Sequence, residues 1–154
     1  MAQIRKAPAR RPAVQKRAGA GFEQLTVNDI VNTRVQAVRL DLKGDKVASL
    51  LLKGAGAVPV VDKSKQLLGV VSEHDLLVAL DEGQAWGVRT AKDLMSANPY
   101  SVQPETSLPT LVHVLTESDL LSVPVVNEAN RFLGVVTRRD VVRAALRPAA
   151  KRPS

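Results

Sequence analysis

The chain has no cysteine, and only 3% of its 154 residues are Phe, Trp or Tyr. The first absence excludes a disulfide scaffold, a thiolate metal site and a cysteine nucleophile, and it fits a reducing, cytoplasmic setting. The second means that any core is built mostly from Val, Leu and Ala, for which an apolar content of 45% is sufficient. Long apolar runs are missing too. None approaches the ~20 residues that cross a bilayer, so no membrane span is expected. The patterns H-E-x-x-H, G-x-x-x-x-G-K and G-x-S-x-G do not occur, and there are two histidines. No catalytic or metal-binding constellation is visible, so the expectation is a protein that is not an enzyme, holds no metal and requires no cofactor.

Acidic residues are absent from both ends. Residues 1–21 carry Arg5, Lys6, Arg10, Arg11, Lys16 and Arg17, and residues 143–154 carry Arg143, Arg147, Lys151 and Arg152. The formal charge of +7 therefore belongs to the ends, and residues 22–142 hold 12 basic and 15 acidic side chains. The tails are rich in Ala, Pro and Arg without apolar periodicity, and are expected to be disordered. No apolar stretch follows the first charges, so the N-terminus does not read as a secretory signal. Such tails solubilise, anchor loosely, contact nucleic acid or an acidic partner, or direct a chain to an organelle; the N-terminal tail shares Arg-richness and lack of acids with transit peptides but has no Ser and no clear amphipathic face.

What fills the chain between the tails is a repeat. "AVPVVDKSKQLLGVVSEHDLLVAL", residues 57–80, matches "SVPVVNEANRFLGVVTRRDVVRAAL", residues 122–146, at an offset of 65. "VNDIV" at 27–31 matches "AKDLM" at 91–95 at an offset of 64, so one residue is inserted between the matched blocks of the second copy. The expected organisation is a basic tail (1–21), repeat one (22–85), repeat two (86–146) and a basic C-terminal tail (147–154).

Each copy reads as β-α-β-β-α. A short helical turn, Thr26–Val31 or Thr90–Met95, precedes a strand near Val35–Leu40 or Tyr100–Val102. An amphipathic helix follows, marked in the second copy by Leu108, Leu111, Val112 and Leu115. Thr106 is its expected N-cap, and Pro109 is tolerated because it falls in the first turn. In the first copy Val47, Leu50 and Leu51 form the stripe, and "KGAG" stops the helix. Two apolar strands then pair as hairpins through "DKSKQ" and "NEANR": Val58–Val61 with Leu67–Val71, and Val123–Val126 with Phe132–Val136. Pro59 and Pro124 cannot donate to a ladder, so they belong at an edge or a cleft. A last helix closes each copy. A unit of this size is marginal alone, so the two copies are expected to form one α/β (α+β) pseudo-twofold globule. His113 lies off its helix's apolar stripe and reads as a surface residue. Trp86 reads as packing in the bridge between copies.

The junctions "GVVSEHD" (69–75) and "GVVTRRD" (134–140) place Ser72 or Thr137 at a helix start and Asp75 or Asp140 three residues on. That is a capping-box spacing: the hydroxyl accepts from the Asp N–H, and the carboxylate reaches back to the Ser or Thr N–H. Gly69 and Gly134, inside strands, mark a close approach of another backbone or of a ligand. A helix N-terminus after a strand offers free N–H groups to an anion. Arg138 and Arg139 oppose the helix dipole there by about 0.3–1 kcal/mol, a cost that a bound anion reverses. The first copy has Glu73 and His74 instead, so its affinity for anions is expected to be weaker.

Two units, each carrying the apolar-Pro-Val-Val strand and the Gly-Val-Val-(Ser/Thr)-x-x-Asp junction, resemble a pair of CBS domains, the Bateman module. The resemblance covers about residues 26–146. It implies an adenosyl ligand (AMP, ADP, ATP or S-adenosylmethionine) in the cleft between the units. Asp75 and Asp140 would hold ribose hydroxyls, and Ser72 and Thr137 would lie near the ribose or phosphate. Val58, Pro59, Val123 and Pro124 would wall the adenine. His74, Arg138 and Arg139 complete the candidate set. The resemblance further implies a regulatory module, a homodimer pairing through its helices, and an output acting in trans on an effector protein. The alternative is a dimeric scaffold or adaptor whose basic tails contact nucleic acid or an acidic partner without sequence preference.

Overall fold

The computed structural model describes residues 21–54 and 56–147. Of the basic ends expected to be disordered, residues 1–20 and 148–154 lie outside the described residues, and residues 143–145 are helical. The chain divides into two compact units. Unit I is built from residues 34–99 and 129–132, and unit II from 21–33, 100–128 and 133–147. The compact units are thus not the contiguous repeats. The opening turn of each repeat, near Thr26 or Thr90, packs with the strands and helices of the other one. Sequence repetition reports local elements and is silent on which core each element joins.

Unit I contains α1 (Gly44–Leu51), β1 (Ala57–Val61), β2 (Leu67–Ser72), α2 (Glu73–Asp81), α3 (Ala91–Leu94) and β3 (Ser96–Ala97). β1, β2 and β3 form an antiparallel sheet in that order. Its core gathers Val38, Val47, Leu51, Val58, Val60, Val71, Leu76 and Leu94. Trp86 packs against this core and donates its indole N–H to the Leu76 carbonyl at 3.3 Å, so it is a packing residue as the sequence suggests.

Unit II contains α4 (Leu108–Glu117), β4 (Ser122–Val126), β5 (Phe132–Thr137) and α5 (Arg138–Ala145); Phe132, the first residue of β5, groups with unit I. Its core is Leu25, Val27, Val102, Leu108, Leu111, Leu115, Val123, Val125, Val136 and Val141. Val27 and Leu25 are held there by backbone bonds, from Val27 N–H to the Thr106 carbonyl at 2.8 Å and from Leu108 N–H to the Leu25 carbonyl at 3.0 Å. Of the expected stripe of α4, Leu108, Leu111 and Leu115 are buried and Val112 is partly buried.

Two sequence expectations change. The strands expected near Val35–Leu40 and Tyr100–Val102 shrink to parallel bridges, Val38 with Val60 and Val102 with Val125. The prolines explain this. Val38 N–H donates to the Pro59 carbonyl at 2.9 Å, and Val61 N–H donates to the Val38 carbonyl at 2.8 Å. The next rung toward the N-terminus would need an N–H on Pro59, which has none. Pro124 does the same beside Val102, accepting from its N–H at 3.0 Å. The second change is the cap of α4, which is Ser107 rather than Thr106. The Ser107 hydroxyl accepts from Thr110 N–H at 3.2 Å. The fully buried Thr106 instead uses its hydroxyl to accept from Gln103 N–H at 3.2 Å. Pro109 falls in the first turn, as expected.

Candidate functional site

Both strand-to-helix junctions are capping boxes. In unit I, Ser72 N–H donates to Asp75 Oδ2 at 2.8 Å, and Asp75 N–H donates to Ser72 Oγ at 3.2 Å. In unit II, Thr137 N–H donates to Asp140 Oδ2 at 2.9 Å, and Asp140 N–H donates to Thr137 Oγ1 at 3.1 Å. A cap of this kind stabilises by about 0.5–2 kcal/mol, and it fixes one oxygen of each carboxylate. The helical turns at Thr26 and Thr90 carry the same box with Asp29 and Asp93. At Asp93 the Thr90 backbone N–H and hydroxyl hold the carboxyl below its ordinary value.

The second carboxylate oxygen separates the two junctions. Asp75 Oδ1 accepts from the Ser96 hydroxyl at 2.9 Å. Asp140 Oδ1 pairs with Arg143 Nη1 at 3.2 Å. Neither partner is among the sequence-derived candidates. Arg143 was legible as an i, i+3 cation behind Asp140 on one helix. Ser96 was not, because it reaches Asp75 only through the pairing of β3 with β2.

That pairing explains the motif glycines. A Cβ on Gly69 would stand 2.7 Å from the Ser96 carbonyl oxygen and 2.7 Å from Met95 Sδ. A Cβ on Gly134 would stand 2.5 Å from the Asn32 carbonyl oxygen. Of the two alternatives open in the sequence, both glycines meet a crossing backbone. β3 lies on β2 with Val70 opposite Ser96. Asn32 and Val135 exchange both backbone hydrogen bonds, at 2.9 and 3.1 Å.

The two arginines that distinguish the second junction do different work. Arg138 Nε donates to the Leu120 carbonyl at 2.6 Å, its Nη2 meets Asp119 at 3.2 Å, and its backbone N–H donates to the Leu121 carbonyl at 3.0 Å. Its guanidinium is committed to the loop that follows α4. Two of the first three N–H groups of α5, those of Arg138 and Asp140, are also occupied. The Arg139 side chain is exposed and makes no hydrogen bond or ion pair among the described residues. The expectation that both arginines stand ready for an anion therefore narrows to Arg139. In unit I, His74 is likewise exposed at the head of α2.

Val58, Pro59, Val123 and Pro124 are buried in β1 and β4. Val58 packs in the core of unit I and Val123 in that of unit II. An apolar groove of about 390 Å³ lies on unit II, lined by Val112, Leu115, Thr116, Asp119, Arg138, Val141 and Val142. Among the described residues no cluster of His, Asp or Glu could hold a metal ion, and no helix is long and apolar enough to cross a membrane.

The model of the CBS domain matches this chain twice, at residues 27–82 and 91–147. CBS domain-containing protein CBSX2, chloroplastic, of Arabidopsis thaliana is 30% identical, over 79% of this chain and 63% of that protein. The chain spans between about half and two thirds of the length of the first curated relatives it matches. The crystal structure of CBSX2 in complex with AMP superposes with a TM-score of 0.72 at 33% identity, covering 79% of this chain and 96% of that one. The CBS domain of a bacterial CNNM/CorC family Mg2+ transporter in complex with ATP superposes with a TM-score of 0.67 at 23% identity, over 81% of this chain and 89% of that one, a likeness of fold. Two matched domains, two capping-box junctions in equivalent places and this shared architecture make the chain a member of the CBS domain family, carrying its domains as a tandem pair.

Proposed function

We propose that the chain is a regulatory module that binds an adenosyl ligand (AMP, ADP, ATP or S-adenosylmethionine) at its two Ser/Thr-x-x-Asp junctions and acts in trans on a partner protein. The observation that carries this reading is the pair of capping boxes. Each presents a carboxylate fixed through one oxygen, the acceptor that a ribose diol needs, at the head of a helix. A CBSX2 structure 33% identical to this chain holds AMP, which favours the same ligand class here. Asp75 and Asp140 would accept from ribose hydroxyls, Ser72 and Thr137 would border the ribose or phosphate, and Arg139 and His74 would meet the phosphate side. Val58, Pro59, Val123 and Pro124 would back the base. Binding would then favour one arrangement of the module over another.

A homodimer belongs to the same proposal. Leu77 on α2 and Val142 on α5 occupy equivalent places in the two repeats, and each is exposed, at 61% and 60%. Matching apolar faces on both units suit a second copy of the chain. Sedimentation equilibrium tests this directly, and a monomer at micromolar concentration would count against it.

Calorimetric titration with AMP, ADP, ATP and S-adenosylmethionine tests the ligand. Saturable binding of at least one below millimolar concentration is expected; heats indistinguishable from dilution for all four would overturn the reading. The adaptor alternative is favoured only by the charge of the tails. Deleting residues 1–21 would abolish binding under that alternative and leave nucleotide titrations unchanged under the one proposed.

A further inference from the structure

Resting on the reading of Asp75 as a ribose acceptor, we infer that Ser96 is a positioning residue of that site, supplied from outside the motif it serves. Gly69 has no side chain, so Ser96 can lie flat against β2; a Cβ at residue 69 would press on the Ser96 carbonyl at 2.7 Å. Pairing with Val70 then sets the direction of the Ser96 side chain, and its hydroxyl reaches Asp75 Oδ1 at 2.9 Å.

The carboxylate is thereby held at both ends. Oδ2 takes the Ser72 N–H at 2.8 Å and the Ser72 hydroxyl at 3.0 Å, and Oδ1 takes Ser96. With both oxygens bonded, rotation about the bond to the carboxyl carbon is stopped. Each carboxylate oxygen offers about two acceptor sites, so Oδ1 keeps room for a ribose hydroxyl beside Ser96. A carboxylate already oriented avoids the entropy of ordering when ligand arrives. The strand glycine and the helix-cap aspartate of "GVVSEHD" are then two halves of one device. The glycine admits a neighbouring segment, and that segment aims the aspartate.

The test measures two ligands on the full chain in an Asp140→Ala background, so that the Asp75 half is read. AMP has both ribose hydroxyls, and 2′,3′-dideoxy-AMP has neither. Ser96→Ala is expected to weaken AMP about three- to tenfold, the range of one hydrogen bond, while leaving the dideoxy ligand unchanged. Ser96→Thr, which keeps the hydroxyl, is expected to restore AMP. A merely structural loss would weaken both ligands together. Equal weakening of both, or of neither, overturns the inference, as does loss of all AMP binding on Asp140→Ala alone. In those cases the adenosyl reading survives if the unmutated chain binds AMP. If the unmutated chain fails to bind AMP, ATP or S-adenosylmethionine, both fall.

Discussion

The two junctions share backbone, cap and glycine and differ in what secures the free side of the aspartate. In unit I it is a neutral hydroxyl from another segment, Ser96 on Asp75. In unit II it is a cation one turn along the same helix, Arg143 on Asp140. The hydroxyl orients a carboxylate and leaves its charge intact. The arginine, 67% exposed, offsets part of that charge and is a loose clasp in water. Repetition of a motif therefore does not mean repetition of a site. What lies around the motif, contributed by segments that do not repeat faithfully, sets how each aspartate can be used.

The sharpest way to break this comparison is to remove each carboxylate. Asp75→Ala and Asp140→Ala are each expected to weaken the tightest adenosyl ligand by about 1.5–3 kcal/mol, the scale of hydrogen bonds to a charged group. The larger loss is expected at Asp140, where Arg139 stands beside the box. Calorimetry on both variants decides it, and equal losses would erase the difference between the halves.

Next in size are the glycines. Gly134→Ala drives a Cβ to 2.5 Å from the Asn32 carbonyl, and Gly69→Ala one to 2.7 Å from that of Ser96. Each is expected to cost about 1–3 kcal/mol as overpacking against backbone, with Gly134 the more severe, as midpoints of urea unfolding would show.

A smaller effect separates the adjacent arginines. Arg138→Ala loses the bond to the Leu120 carbonyl and the contact with Asp119, and is expected to lower stability by about 0.5–1.5 kcal/mol. Arg139→Ala is expected to leave the unfolding midpoint unchanged and to reduce the preference for ATP over S-adenosylmethionine. If the two exchange roles, the assignment of Arg138 to the loop after α4 is wrong.

The smallest effect concerns the turn capped by Thr90. Because the Thr90 backbone N–H and hydroxyl depress the carboxyl of Asp93, its folded value lies below the unfolded one. The stabilising contribution is present above the ordinary carboxylate value of about 3.9 and is lost as pH falls through the depressed value. Asp93→Asn should therefore flatten, slightly, the fall of the melting temperature in acid.

Much of this was legible in the sequence because it is local. The capping boxes need only a Ser or Thr and an Asp three apart, and the hairpins need only two apolar runs and a polar turn. The glycines announced a close approach without saying of what. Three things were hidden. Pro59 and Pro124 point to a ladder that cannot continue, but the strands near Val38 and Val102 give no sign of their own shortness, because the lost rung is written in a different segment. Thr106 and Ser107 are adjacent and equally able to cap; the turn at Gln103 decides between them by claiming the Thr106 hydroxyl. Ser96 and the commitment of Arg138 both depend on contacts between elements, which periodicity does not encode.

The interleaving of segments sets an order on the making of this protein. Residues 21–33 are made before unit I, but the carbonyls of Pro104 and Thr106, which receive the Asn28 and Val27 N–H groups, and the helix that buries Leu25 are made only after most of unit I has emerged. During synthesis Leu25 and Val27 must wait, uncovered, while the later-made unit I can begin to close around its own core. A segment made before unit I is thus covered only by residues made after it.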